Sequence, residues 1–327
     1  MYGLTKREGS VMNTRMFPLS RIGAAALLVA VLGVPVATPA APILFDPDGA
    51  GAGASPVTIG GLDWAVGNAL AINGNQAVAN FLAGSGSTNF EVRYQAQLSG
   101  YIDLGGTTIQ PAGITGGQYE ITVVARFFET VVNATAGGQV TLGRAADQTG
   151  STFEIYFDSN PNANNLAGTG FQDGNLILQA DLRSVVGNFQ IQPLGATDLF
   201  DRVGADNFNG LRTVSGYGGT DASFNTILTN SQFFLSPVTG LNFNINATLP
   251  FLQQDPSRQF LGYTPSLGTI NGALPIGPGG GGPDFQFQVD GNTAFAVPEP
   301  GSLVLVTLGA AGLLGAGWSR RRRPHAG

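Results

Sequence analysis

Asn89-Phe-Glu-Val-Arg-Tyr-Gln-Ala-Gln-Leu98 alternates without a break: Phe90, Val92, Tyr94, Ala96 and Leu98 fall on one side, Glu91, Arg93, Gln95 and Gln97 on the other. A period of two marks a strand with one buried face. The pattern returns in Gln118 to Phe127 through Tyr119, Ile121, Val123, Ala125 and Phe127, and in Thr152 to Asp158 through Phe153, Ile155 and Phe157. Leu176 to Leu182, Leu241 to Leu249 and Asp284 to Val289 follow it, with weaker windows at Phe189 to Gln192, Phe224 to Leu228 and Gln232 to Leu235. Clusters of Gly, Asn, Asp and Pro, the residues of turns, separate these windows. No helical period persists, although Asn75 to Leu82 reads as a short helix. The expected body is therefore all-β, an antiparallel β-sandwich of jelly-roll-like form.

Outward from these strands, both ends of the chain change character. Lys6, Arg7, Arg15 and Arg21 precede an apolar core from Ile22 to Val34 and the small residues Ala37 to Ala41. That is the three-part pattern of a secretory signal peptide, with cleavage expected after Ala40 and a more compact start at Met12 or Met16. At the other end Val297-Pro298-Glu299-Pro300 is followed by an uncharged run from Leu303 to Gly317, then Trp318, Ser319 and Arg320, Arg321, Arg322 and Arg323. As a helix that run rises about 23 Å, against a hydrocarbon core of about 30 Å. A short transmembrane helix over 303–318 is expected, with the four arginines as a stop-transfer cluster on the cytoplasmic side and the body outside. Pro298 and Pro300 hold the segment before it extended and accessible. The expected organisation is a signal peptide at 1–40, an exported β domain at 41–296 and a C-terminal sorting segment at 297–327.

Removing the ends exposes an unusual composition. Residues 41–297 hold seven Arg and no Lys against nineteen Asp and Glu, a net charge of −12. Such a surface disfavours nucleic acid, whose phosphates must be neutralised by Lys and Arg. The only Lys is Lys6, the only His is His325, the Met residues all lie within the first sixteen, and Cys is absent. The body therefore lacks the parts for a Ser–His–Asp triad, a thiol nucleophile, a Schiff base or a disulfide. Zinc, copper and haem sites lose their usual ligands. Oxygen chemistry survives: paired carboxylates of the glycosidase kind, and calcium held by carboxylates and carbonyls.

The C-terminal segment resembles the PEP-CTERM sorting signal, whose three parts occur here in order: Pro298-Glu299-Pro300, the apolar run and the arginines. The resemblance implies recognition and processing by an exosortase, a membrane-embedded peptidase of Gram-negative bacteria, in organisms that also make exopolysaccharide. It implies transient anchoring in the inner membrane and final placement at the cell surface or in the extracellular matrix. A second stretch, Phe157-Asp158 with Asn164-Asn-Leu-Ala-Gly-Thr-Gly-Phe-Gln-Asp-Gly174, is similar to the bodies of flocculation-associated PEP-CTERM proteins. That likeness implies a role in cell aggregation and biofilm and carries no catalytic residues.

Within the body, Asp158, Asn160 and Asn162 alternate like the opening of a calcium loop and are the candidate calcium ligands. An EF-hand is excluded, because its sixth position is Ala163 rather than Gly and its twelfth is Thr169 rather than Glu. Asp46 and Asp48 read as turn residues, and Trp64 as core rather than as a sugar-stacking platform. Asn242, Asn244 and Asn246 form an amide face that needs solvent or a ligand. Ile276 to Pro283 is a Gly-rich connector without the Lys and Ser/Thr of a phosphate loop. The expected function is a non-enzymatic surface or matrix protein that supports aggregation with exopolysaccharide or cell-surface glycan. The alternatives are a calcium-dependent carbohydrate-binding module and a carboxylate-dependent glycan hydrolase or lyase.

Overall fold

A computed structural model describes residues 42–49, 55–272 and 280–297. The expected signal peptide, Pro298 to Pro300, the apolar run expected as a transmembrane helix and the arginines lie outside the described residues. In chain order the elements open with Ile43–Phe45 (β1) and Val57–Ile59 (β2), which pair with each other. Gly61–Ile72 (β3), helix Gly74–Ala83 (α1) and Asn89–Ile102 (β4) follow. Next come Thr108–Ile109 (β5), the short helix Ala112–Thr115 (α2), Glu120–Ala134 (β6), Gln139–Arg144 (β7) and Thr152–Asp158 (β8). Asn175–Ile191 (β9), Thr197–Leu199 (β10), Arg212–Val214 (β11) and Gly216–Thr229 (β12) lead to Gly240–Leu249 (β13), Ile270–Asn271 (β14) and Phe285–Ala296 (β15).

The long strands form one antiparallel sheet, as alternation predicted, and its pairings return to their starting point. β3 pairs with β4, β4 with β6, β9 with β12, β12 with β13, β13 with β15, and β15 with β3. Between β6 and β9 one position is shared: β8 pairs with the first half of β6 and of β9, β7 with their second halves. The sheet therefore closes into an eight-position ring in which neighbours in space are neighbours in the chain. That is a meander, whereas jelly-roll connections cross between sheets, a difference that strand alternation alone does not encode. Eight strands enclose an interior about wide enough for side chains to fill. Here Tyr94, Phe243, Phe153, Phe224 and Phe127 cross it in contact, with successive ring centroids 5.0, 5.2, 5.1 and 6.4 Å apart.

Several expectations are corrected in detail. β3 was not visible as an alternating window because its second half is buried on both faces, from Gly67 through Ile72. One side of those residues points into the ring; the other lies under the segment after β13. That cover is fastened by amide side chains: Asn68 Oδ1 accepts from Ser257 N at 3.0 Å, Gln95 Nε2 donates to Ser257 Oγ at 3.1 Å, and Gln286 Nε2 donates to Ser257 O at 3.0 Å. The windows at 176–182 and 189–192 are one strand, β9. Gln232 to Leu235 is a turn, in which Phe233 N and Phe234 N both donate to Asn230 O. The expected helix is present as α1, ended by Gly84 at φ +64°, a left-handed conformation that costs glycine little.

Candidate functional site

The calcium candidates belong to one loop, whose shape comes from Glu120 at the start of β6. Glu120 Oε1 accepts the backbone N–H groups of Asn162 and Ala163 at 2.8 and 3.0 Å, and Oε2 accepts Gln97 Nε2 at 3.1 Å. Asp158 Oδ1 accepts Asn160 N at 2.8 Å, a side-chain turn. Asn162 Nδ2 donates to Asp173 Oδ2 at 2.9 Å, and Asn162 Oδ1 lies 2.1 Å from where a Cβ on Gly170 would stand. Asp158 and Asn162 thus build the turn with their polar atoms. Among the described residues no group of three or more His, Cys, Asp or Glu is gathered to hold a metal ion. Trp64 is buried in the ring, where its Nε1 donates to Thr293 Oγ1 at 2.8 Å. Asp46 is buried beside the β1–β2 pair, its N–H bonded to Phe233 O at 2.8 Å.

The remaining sequence candidate, the Asn face, lies where the ring is bare. The cover over β3, β4 and β15 stops short of β9, β12 and β13, so Asn242, Asn244, Asn246 and Thr248 on β13 are exposed. On β12 the outward residues are Tyr217, Gly219, Asp221 and Ser223, and Gly219 is the one without a side chain. Its cross-strand partners are Asn188 on β9 and Asn246 on β13. A dent follows from that register. Asn188 and Asn246 flank it from the sides, Tyr217 and Asp221 stand before and after it along β12, and the concavity measures about 400 Å³. A Cβ placed on Gly219 would stand 3.0 Å from Ile245 O and 3.8 Å from Asn246 Oδ1, inside the dent.

The dent is lined by amides around a single carboxylate. The side chains of Asn188 and Asn246 make no hydrogen bond among the described residues, so each presents a carbonyl and an NH₂ to solvent. Asn244 Nδ2 donates to Asp221 Oδ1, orienting the one carboxylate of the lining. Tyr217 is 54 % exposed and supplies an aromatic face and a hydroxyl. On the far side of Asn246, the Asp290 carboxyl is held above its ordinary range by partial burial and then by the charge of Asp63. Sequence reading found the three Asn of β13. It missed Asn188, Tyr217, Gly219 and Asp221, because the Gly-rich start of β12 looks like a turn until its partners are known.

The C-terminal segment begins where the ring ends. β15 finishes at Ala296, whose carbonyl accepts Thr239 N at 2.9 Å, and Val297 packs against the core. In sequence, Pro298-Glu299-Pro300 follows Val297 directly. No curated protein and no solved structure matches the chain. Residues 296–323, from the last residue of β15 onward, match the family model of the PEP-CTERM protein-sorting motif, which marks an exported protein processed by an exosortase at the membrane; the chain carries that sorting motif.

Proposed function

We propose that the exported domain is a non-enzymatic cell-surface or matrix protein that holds polysaccharide on its β9–β12–β13 face and thereby supports cell aggregation, as flocculation and biofilm proteins do. The dent at Gly219 carries this reading. Exposed amides, an aromatic ring and a single oriented carboxylate suit the paired hydroxyls and apolar faces of sugar residues, and an open concavity admits a chain rather than an enclosed monomer. The dent contains only groups that bind, with no second acid in its lining to share acid–base work.

Two strains test the role in cells: a deletion, and a replacement of Pro298-Glu299-Pro300 by alanines. Both are expected to lose aggregation, and the replaced protein to accumulate unprocessed in the inner-membrane fraction. Normal aggregation in the deletion strain overturns the role while leaving the sorting intact.

A further inference from the structure

The interior of the ring is not filled everywhere. Next to Asn75 and Val78 of α1 lies a cavity of about 60 Å³, walled by Val92, Val140, Ile245 and the rings of Phe189, Phe285 and Phe287. A single water needs only about 10–15 Å³. The three rings form a cluster, with centroids 5.1 Å apart for Phe189 and Phe285, 5.5 Å for Phe285 and Phe287, and 6.2 Å for Phe189 and Phe287.

Glu129 faces the same space. It occupies the inward position of β6 after Phe127, is 2 % exposed, and its Oε1 has no hydrogen-bond partner. An unpartnered buried carboxyl is costly, and in a native fold it calls for an explanation. Two neutral acceptors accompany it. A Cβ on Gly187 would lie 2.6 Å from Thr220 Oγ1 and 3.3 Å from Glu129 Oε1, so hydroxyl and carboxyl flank one bare glycine. Asn75 Nδ2 donates to Gly282 O and Asp284 O at 3.1 Å each, which leaves the carbonyl end of that amide to accept. Among the described residues no cation pairs with Glu129. Arg144, its cross-strand partner on β7, is exposed, and the ion pairs of the described residues join Glu91 to Arg93 and Arg126, and Asp198 to Arg202. Glu91, Arg93 and Arg126 lie on the outward faces of β4 and β6, and the lining holds no other ionisable side chain.

We propose that this cavity binds a small ammonium cation, of the size of methylammonium, with Glu129 as its counter-ion and the rings of Phe189, Phe285 and Phe287 as its walls. The negative π-faces of aromatic rings attract a cation, and the N–H groups of an ammonium find acceptors in Glu129, Thr220 and Asn75. The acidic body favours entry of cations over anions. A neutral solute of the same size would satisfy the apolar walls and leave the carboxylate without a charge partner. Burial raises the Glu129 carboxyl to about 8, so without a cation beside it the group is protonated at neutral pH. A bound ammonium requires the carboxylate, so binding releases a proton, and affinity rises roughly tenfold per pH unit below that value.

Methyl-labelled protein titrated with methylammonium chloride at about pH 6 and about pH 7 tests this, with sodium chloride and 1-propanol as separate controls. The Val92, Val140 and Ile245 methyl signals are expected to shift saturably with methylammonium alone, with affinity roughly tenfold higher at the higher pH. Glu129→Gln is expected to keep a folded spectrum and lose the response, and Thr220→Val to weaken it. Absence of a saturable shift, a pH-independent response in the native protein, or an unchanged response in folded Glu129→Gln overturns the proposal. Equal shifts with sodium overturn the ammonium preference, and shifts with 1-propanol alone assign the cavity to a neutral ligand.

Discussion

Glu129 interrupts a run of inward apolar residues, Ile121, Val123, Ala125, Phe127 and Val131, and its burial makes the fold sensitive to pH. The ordinary glutamate value is 4.5, and burial raises that of Glu129 to about 8. Between these values the folded chain keeps a proton that the unfolded chain has released, so stability contributed by this group falls as pH rises through the window. Above the folded value the loss is complete. The slope is at most about 1.4 kcal/mol per pH unit. Glu129→Gln is therefore expected to flatten the urea-midpoint profile between about pH 5 and about pH 8, and to be more stable than the native protein by up to about 4 kcal/mol at the upper end. Parallel profiles for the two proteins would count against a buried, proton-holding Glu129. This residue was not legible in sequence, because a carboxylate at an inward position breaks the apolar count that reveals a strand. Trp64 was legible as core, since a large ring in an apolar stretch most often packs, and its indole N–H has found Thr293.

At the scale of elements, the break between β7 and β8 shows how the ring stays hydrogen-bonded across an interruption. Phe128, in the middle of β6, faces the gap, and the Gln148 side chain takes the place of a strand: Phe128 N donates to Gln148 Oε1 at 3.0 Å, and Gln148 Nε2 donates back to Phe128 O. Gln148→Ala removes both bonds and leaves the Phe128 N–H without its partner. The expected cost is about 1–3 kcal/mol in urea unfolding, together with faster amide exchange at Phe128 relative to Val123. Unchanged exchange there would show that the side chain is not a substitute for the ladder. Strands with one wet face, such as β4, β8 and β13, were readable from alternation. β3 was hidden by burial on both faces, the first half of β12 by Gly216, Gly218 and Gly219 although Phe224 to Leu228 in its second half was read as a strand, and β9 was read as two windows because Val186 places an apolar side chain outside, 61 % exposed.

For the whole molecule, closure decides what the surface can do. Pairing of β15 with β3 joins the last ring strand to the first, so the sheet offers long faces rather than long edges to partners. One side of the outer face is covered by the segment fastened through Ser257, and the other, on β9, β12 and β13, carries the amides. The all-β class and the sorting motif were written in local patterns, alternation at one scale and an ordered C-terminal segment at the other. Ring closure and the Gly219 dent were not, because both depend on register between strands far apart in sequence: Gly219 acquires its meaning only when Asn188 and Asn246 are set beside it. Calorimetric titration of the producing cells' own purified polysaccharide into the protein and into Gly219→Gln tests the account most directly, since the new side chain would fill the dent without a positive-φ penalty. Saturable binding by the native protein, weakened about tenfold or more in a variant of unchanged unfolding temperature, is the predicted result. Equal binding by both proteins, or none by the native one, would contradict it.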